Sequence, residues 1–152
     1  MLLDCIRLAE FYEIPFRWAN PDPVVVHYDP IQIASEQPFI YRLTRLAMLA
    51  AVRNKSLEFT LEVGALLWNC EVDVWSEGDH LKLAVARAGL DLEEMDEQIV
   101  SHQETLDKQL DVNQKEQRGA GHWGVPLMVY NDEPFWGQDR ISLLQWRIKN
   151  SD

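Results

Sequence analysis

Two stretches, Gly124-Val125-Pro126-Leu127-Met128-Val129 and Phe135-Trp136-Gly137-Gln138-Asp139-Arg140, decide how the C-terminal part of the chain folds. The apolar run 126–130 reads as a short strand, Asn131-Asp132 as a tight turn, and 133–136 as the returning strand of a β-hairpin. Gly137 breaks that pattern, and 139–148 reads as a closing helix with Ile141, Leu143, Leu144 and Trp146 turned inward. Just upstream, Gly119-Ala120-Gly121-His122-Trp123-Gly124 is a glycine-punctuated loop.

Before that loop the pattern is helical. Leu2, Leu3, Ile6, Leu8, Ala9 and Phe11 recur at helical spacing and predict an amphipathic helix ending before Ile14-Pro15. Prolines 21 and 23 remove backbone donors, so residues 19–33 read as a long surface connection. Ser35, as N-cap with Pro38 in the first turn, opens a helix to about Arg53, and Ser56 opens another to about Cys70. Asp79 opens a third, closed by Gly89, and Asp91 caps a fourth over 92–100. A polar helix over 104–118 follows.

With 152 residues and an ordinary apolar fraction, the chain is long enough to bury a core without disulfides or a structural metal. Fourteen basic against twenty-five acidic residues give a formal charge of −11, which repels phosphate backbones and anionic lipid. Nucleic acid and membrane surfaces are therefore not expected partners. Cys5 and Cys70 form neither a C-x-x-C pair nor a metal-ligand spacing with the histidines, so no metal is expected and each reads as a buried or inert thiol. Charges among residues 1–13 exclude a signal-peptide core there, and the expected compartment is the cytoplasm.

The two quoted motifs, in that order and at that distance, resemble the C-terminal part of the 2-hydroxychromene-2-carboxylate isomerases. These are grouped with the kappa-class glutathione transferases among the DsbA-like thioredoxin folds. Upstream, residues 2–17 with Pro15-Phe16-Arg17 are similar to the helix and turn that precede that family's inserted helical domain. The implied fold is α/β thioredoxin-like with an inserted all-α domain. This chain would be mostly α, with 1–118 as the helical insertion region and 119–152 as the C-terminal thioredoxin-like part.

The resemblance implies glutathione as cofactor. Val125, before Pro126, would hold its cysteinyl backbone as an added strand does, with Pro126 in cis; an ordinary trans proline starting an edge strand is the alternative. Gln138 and Asp139, at the entry to the last helix, would receive the γ-glutamyl end, although Asp139 also suits a simple helix cap. Arg140 reads as a partner for a nearby acid, an anion ligand or a solvated side chain. Trp123, Trp136 and Phe135 either line a flat aromatic substrate pocket or belong to the core. His122 is a surface-loop residue or a general acid or base.

The sequence also departs from that family. Its chains begin with a strand, a helix and a second strand, and the catalytic serine or cysteine lies after the first strand. Nothing here matches that unit, so no catalytic residue is assigned and the chain reads as a truncated member. The implied function is glutathione-dependent isomerisation by thiol addition and elimination on an aromatic-conjugated alkene. The alternatives are a non-catalytic remnant or binding module and, further off, a DsbA-type disulfide oxidoreductase. Partners would be glutathione or a small-molecule substrate. The hairpin's open edge further implies a homo-oligomer.

Overall fold

A computed structural model describes residues 2–151. They form two compact units that meet in sequence between Gln103 and Glu104.

The first unit opens with α1 (Leu2–Phe11) and continues into a small antiparallel hairpin, β1 (Val26–Tyr28) and β2 (Ile31–Ile33), paired in the register Val26 to Ile33. Read from the sequence, residues 19–33 are a long surface connection. The β-branched run Val24-Val25-Val26, the Asp29-Pro30 turn and the alternation Ile31-Gln32-Ile33 instead make a hairpin. Gln37 extends it as a strand residue would. Its amide donates to the carbonyls of Val25 (2.8 Å) and Ala34 (2.9 Å), and its Oε1 accepts the Val25 N–H at 2.9 Å.

That tether also bears on a correction at Ser35. Gln37 is bound to the hairpin, and α2 (Ile40–Val52) starts later, with Phe39 at its N-cap and no side-chain cap. Then come α3 (Ser56–Trp68), preceded by Lys55, and α4 (His80–Arg87), preceded by Asp79, neither with a side-chain cap bond. Asp91 does cap α5 (Leu92–Gly119), its Oδ1 accepting the Glu94 N–H at 3.0 Å. α5 comprises the two helices read from the sequence, which meet at a kink at His102, whose φ of −128° and ψ of 21° leave helical space.

Helical periodicity places the core of this unit. Leu43, Leu46 and Ala50 of α2, Phe59, Val63, Leu66 and Leu67 of α3, and Leu81, Ala84 and Val85 of α4 are buried, with Trp75, Met95 and Ile99. Trp75 pins the proline-rich segment to that core. Its indole N–H donates to the Pro21 carbonyl at 2.7 Å, and its ring meets Phe39 edge-on.

The second unit carries the C-terminal half of α5, then β3 (Leu127–Tyr130), β4 (Glu133–Trp136), a 3₁₀ turn (Gln138–Arg140) and α6 (Ile141–Lys149). β3 and β4 pair antiparallel, Leu127 opposite Trp136 and Tyr130 opposite Glu133. Positive φ at Asn131 (50°) and Asp132 (62°) is the type I′ geometry that matches the twist of a two-residue hairpin. The expectation that Ile141, Leu143 and Trp146 turn inward is corrected: each is exposed, and Leu144 is half-buried. A bidentate ion pair between Arg147 and Glu133 ties α6 to the start of β4.

Candidate functional site

The candidate site lies in the second unit, where the loop 119–126 leads from α5 into β3. Gly121, at φ +107°, turns the chain out of the helix, a conformation that glycine adopts without steric cost. Gln117 of α5 holds the far side of the loop, its amide donating to the carbonyls of Trp123 and Gly124 at 3.1 Å each. The Val125-Pro126 bond is cis, as the resemblance implies, and so are Asn20-Pro21 and Asp29-Pro30.

Val125 is 81% exposed. Among the described residues no hydrogen bond engages its N–H or its C=O, whereas Pro126 C=O accepts from Gly137 N–H at 3.0 Å and closes the start of the hairpin. The loop therefore presents one free donor and one free acceptor beside a strand edge, the arrangement with which an extended peptide pairs.

Gln138 and Asp139 follow the C-terminal end of β4, just after the Gly137 that bonds to Pro126, and both are exposed. Asp139 does not cap the helix. Gly137 is the N-cap of the 3₁₀ turn and Arg140 that of α6, with no side-chain cap bond at either. The Asp139 carboxylate folds back over Gly137, where a built Cβ would stand 2.5 Å from its Oδ1, and it pairs with Arg140 at 3.4 Å. Gly137, at φ +100°, leaves room for that fold-back.

The aromatic residues divide. Phe135 is buried, which makes it core, whereas Trp123 is 78% and Trp136 49% exposed. His122 joins the two indoles: its imidazole stacks on Trp136 at 4.0 Å and 22° and, offset, on Trp123 at 5.6 Å and 17°. Its Nδ1 accepts the Gly124 N–H at 2.8 Å, so the ring is in the Nε2–H form in this arrangement. From the sequence, His122 reads only as a loop residue or an acid or base. The stack across the hairpin could not be seen, although the neighbouring His-Trp pair was its one local signal.

A shallow cavity of about 390 Å³ adjoins the loop, lined by Asn113, Glu116 and Gln117 of α5 and by Val125, Leu127 and Val129 on one face of the β3 segment. Cys5 and Cys70 are both exposed, so neither is a buried thiol, and both belong to the first unit. Among the described residues no group of three or more His, Cys, Asp or Glu side chains is placed to hold a metal. No described helix is long and apolar enough to cross a membrane.

The DSBA-like thioredoxin domain family matches residues 1–149, and the chain belongs to that family. No curated protein sequence matches it significantly.

Proposed function

We propose that this chain is a glutathione-binding member of the family, of the 2-hydroxychromene-2-carboxylate isomerase type. The observation that carries the reading is the unpaired backbone of Val125 in the loop that leads into β3. Val125 N–H and C=O pair with the cysteinyl residue of the tripeptide, as two strands pair. Gln138 and Asp139 take the γ-glutamyl end, the carboxylate of Asp139 accepting from its ammonium group. Trp123 and Trp136 hold a flat aromatic substrate and exclude water from one side of it. Bound glutathione supplies the thiolate that adds to a conjugated alkene, permits rotation about the former double bond, and is expelled unchanged. We assign no catalytic residue, since no cysteine lies in the unit that carries the loop. Glutathione is a reducing buffer of the cytosol, so this reading goes with a cytoplasmic protein.

The absence of a cysteine from that unit also favours the second reading, a thiol-binding module without turnover. Calorimetric titration with glutathione, followed by ultraviolet monitoring of 2-hydroxychromene-2-carboxylate with and without glutathione, tests both. Binding with glutathione-dependent isomerisation supports the enzyme, binding alone supports the module, and no binding defeats both.

A further inference from the structure

The peptide between Trp123 and Gly124 is held on both sides. Its N–H donates to His122 Nδ1 at 2.8 Å, and its carbonyl accepts from the Gln117 amide of α5 at 3.1 Å. The first of these bonds has an acceptor that titrates. His122 is the only histidine of the second unit, since His27, His80 and His102 all fall within residues 1–103. Its half-buried ring is fixed in place: the imidazole stacks on Trp136 at 4.0 Å and 22°, and a Cβ built on Gly124 would stand 2.9 Å from its Cε1.

We propose that His122 is a proton-operated latch on the segment that carries Val125: the neutral imidazole holds the Gly124 N–H, and with it the neighbouring Val125 backbone, and the imidazolium releases both. Histidine is the side chain that ordinarily changes charge between about pH 5 and 8. Once protonated, Nδ1 is itself a donor, so two N–H groups face each other where a hydrogen bond stood. A cation over an indole face is attracted to it, so the ring stays on Trp136 and the loop yields. The Trp123–Gly124 peptide, freed on its N–H side, turns, and the next peptide plane, which carries the Val125 N–H, turns with it. The loop itself brings no other charged group to the ring. Among the elements around it, α5 offers Glu116 and Arg118, of opposite sign, on either side of Gln117. The only charged residue of β4, Glu133, is bound to Arg147, and Asp139 of the following turn pairs with Arg140. The latch stands on these contacts; its effect on glutathione rests on the function proposed above.

The test uses the full chain and two variants. His122→Asn is the non-titrating reference, because an asparagine Oδ1 accepts the N–H two residues on, as Nδ1 does here. His122→Phe keeps a ring for the stack and lacks the acceptor. In nitrogen-15 NMR spectra, the parent's Gly124 and Val125 amide signals should move between about pH 8 and 5 in one step that shares its midpoint with the His122 ring protons. Neither variant should show that step. Amides that stay still while the ring titrates would overturn the latch, as would an unchanged step in the Asn variant. Glutathione is then titrated at about pH 7.5 and 5.5, where the parent should lose affinity on acidification by at most about tenfold per pH unit, the limit for one proton. The Asn variant should hold its affinity, and the Phe variant should bind weakly at both. An equal acid loss in the parent and the Asn variant would overturn the gating of Val125. Amides that titrate as expected without glutathione binding at either pH keep the latch and remove the glutathione reading.

Discussion

Gly124 and Trp136 approach so closely that any side chain on the glycine would overlap the indole, the built Cβ lying 2.5 Å from Nε1. The contact joins the loop before Pro126 to the last residue of β4, directly across from the start of β3 at Leu127. Gly124→Ala must displace the indole, the imidazole or the loop backbone. Overpacking of this kind costs about 1–3 kcal/mol, which should appear as a lowered melting temperature. Gly119→Ala is the control: nothing lies within 4 Å of its built Cβ, and it should leave stability unchanged or slightly raised. Equal melting temperatures for both variants would show that the loop yields freely.

Glu133 and Arg147 form the ion pair that fastens α6 to the hairpin. The Arg147 guanidinium, chiefly by hydrogen bonding, holds the Glu133 carboxyl below the ordinary glutamate value of 4.5, and Glu133 in turn raises Arg147. A carboxyl depressed in the folded state stabilises above its unfolded value, and that contribution is lost as pH falls through the lower folded value. Glu133→Gln should therefore melt below the parent at pH 7, and the gap should narrow on acidification below the usual glutamate range. Both side chains are substantially exposed, so the effect is small and should shrink further in high salt. A gap independent of pH would assign the loss to something other than this charge.

The hairpin was legible because its signals are local: a glycine, a proline, an apolar run, Asn131-Asp132 and a second apolar run follow one another without interruption. The helices of the first unit were legible through the spacing of residues such as Leu43, Leu46 and Ala50. What escaped depends on partners distant in sequence. Ser35 looks like a cap, but Gln37 keeps its neighbourhood bound to Val25. Asp139 likewise looks like a cap until Gly137 lets its carboxylate turn back. The inward face expected for α6 failed because periodicity says which residues share a side, not whether anything covers it; Trp146 is 57% exposed.

Each strand of the β3–β4 sheet has a single partner among the described residues, so both outer edges present unpaired backbone groups. Two-stranded sheets are marginal alone, and open edges pair with other chains. We expect concentration-dependent self-association despite the charge of −11. Sedimentation velocity should show the weight-average mass rising with concentration, more steeply at high salt where repulsion is screened. A single monomeric boundary throughout would count against pairing through these edges.

Asp139 provides the sharpest check on the proposed glutathione site, because its carboxylate has no capping duty to confuse the result. It is exposed, folded over Gly137 and within 3.4 Å of Arg140, so one face of its charge is already shared. The γ-glutamyl ammonium would compete with Arg140 for that carboxylate. Asp139→Asn keeps the shape and removes the charge, and losing a charge-assisted hydrogen bond costs about 1.5–3 kcal/mol, or roughly ten- to a hundredfold in affinity. Sharing with Arg140 puts the expected loss at the lower end. Arg140→Gln should act in the opposite sense and tighten binding slightly, since it frees the carboxylate for the ligand. Melting temperatures of both variants should stay close to the parent, as exposed pairs of this kind contribute only about 0–1 kcal/mol. Calorimetric titration of the three proteins with glutathione reads the order directly. Arg140→Gln tightest, the parent next and Asp139→Asn weakest supports the assignment, whereas equal affinity in all three would remove Asp139 from the site and leave the Val125 backbone as its main recognition element.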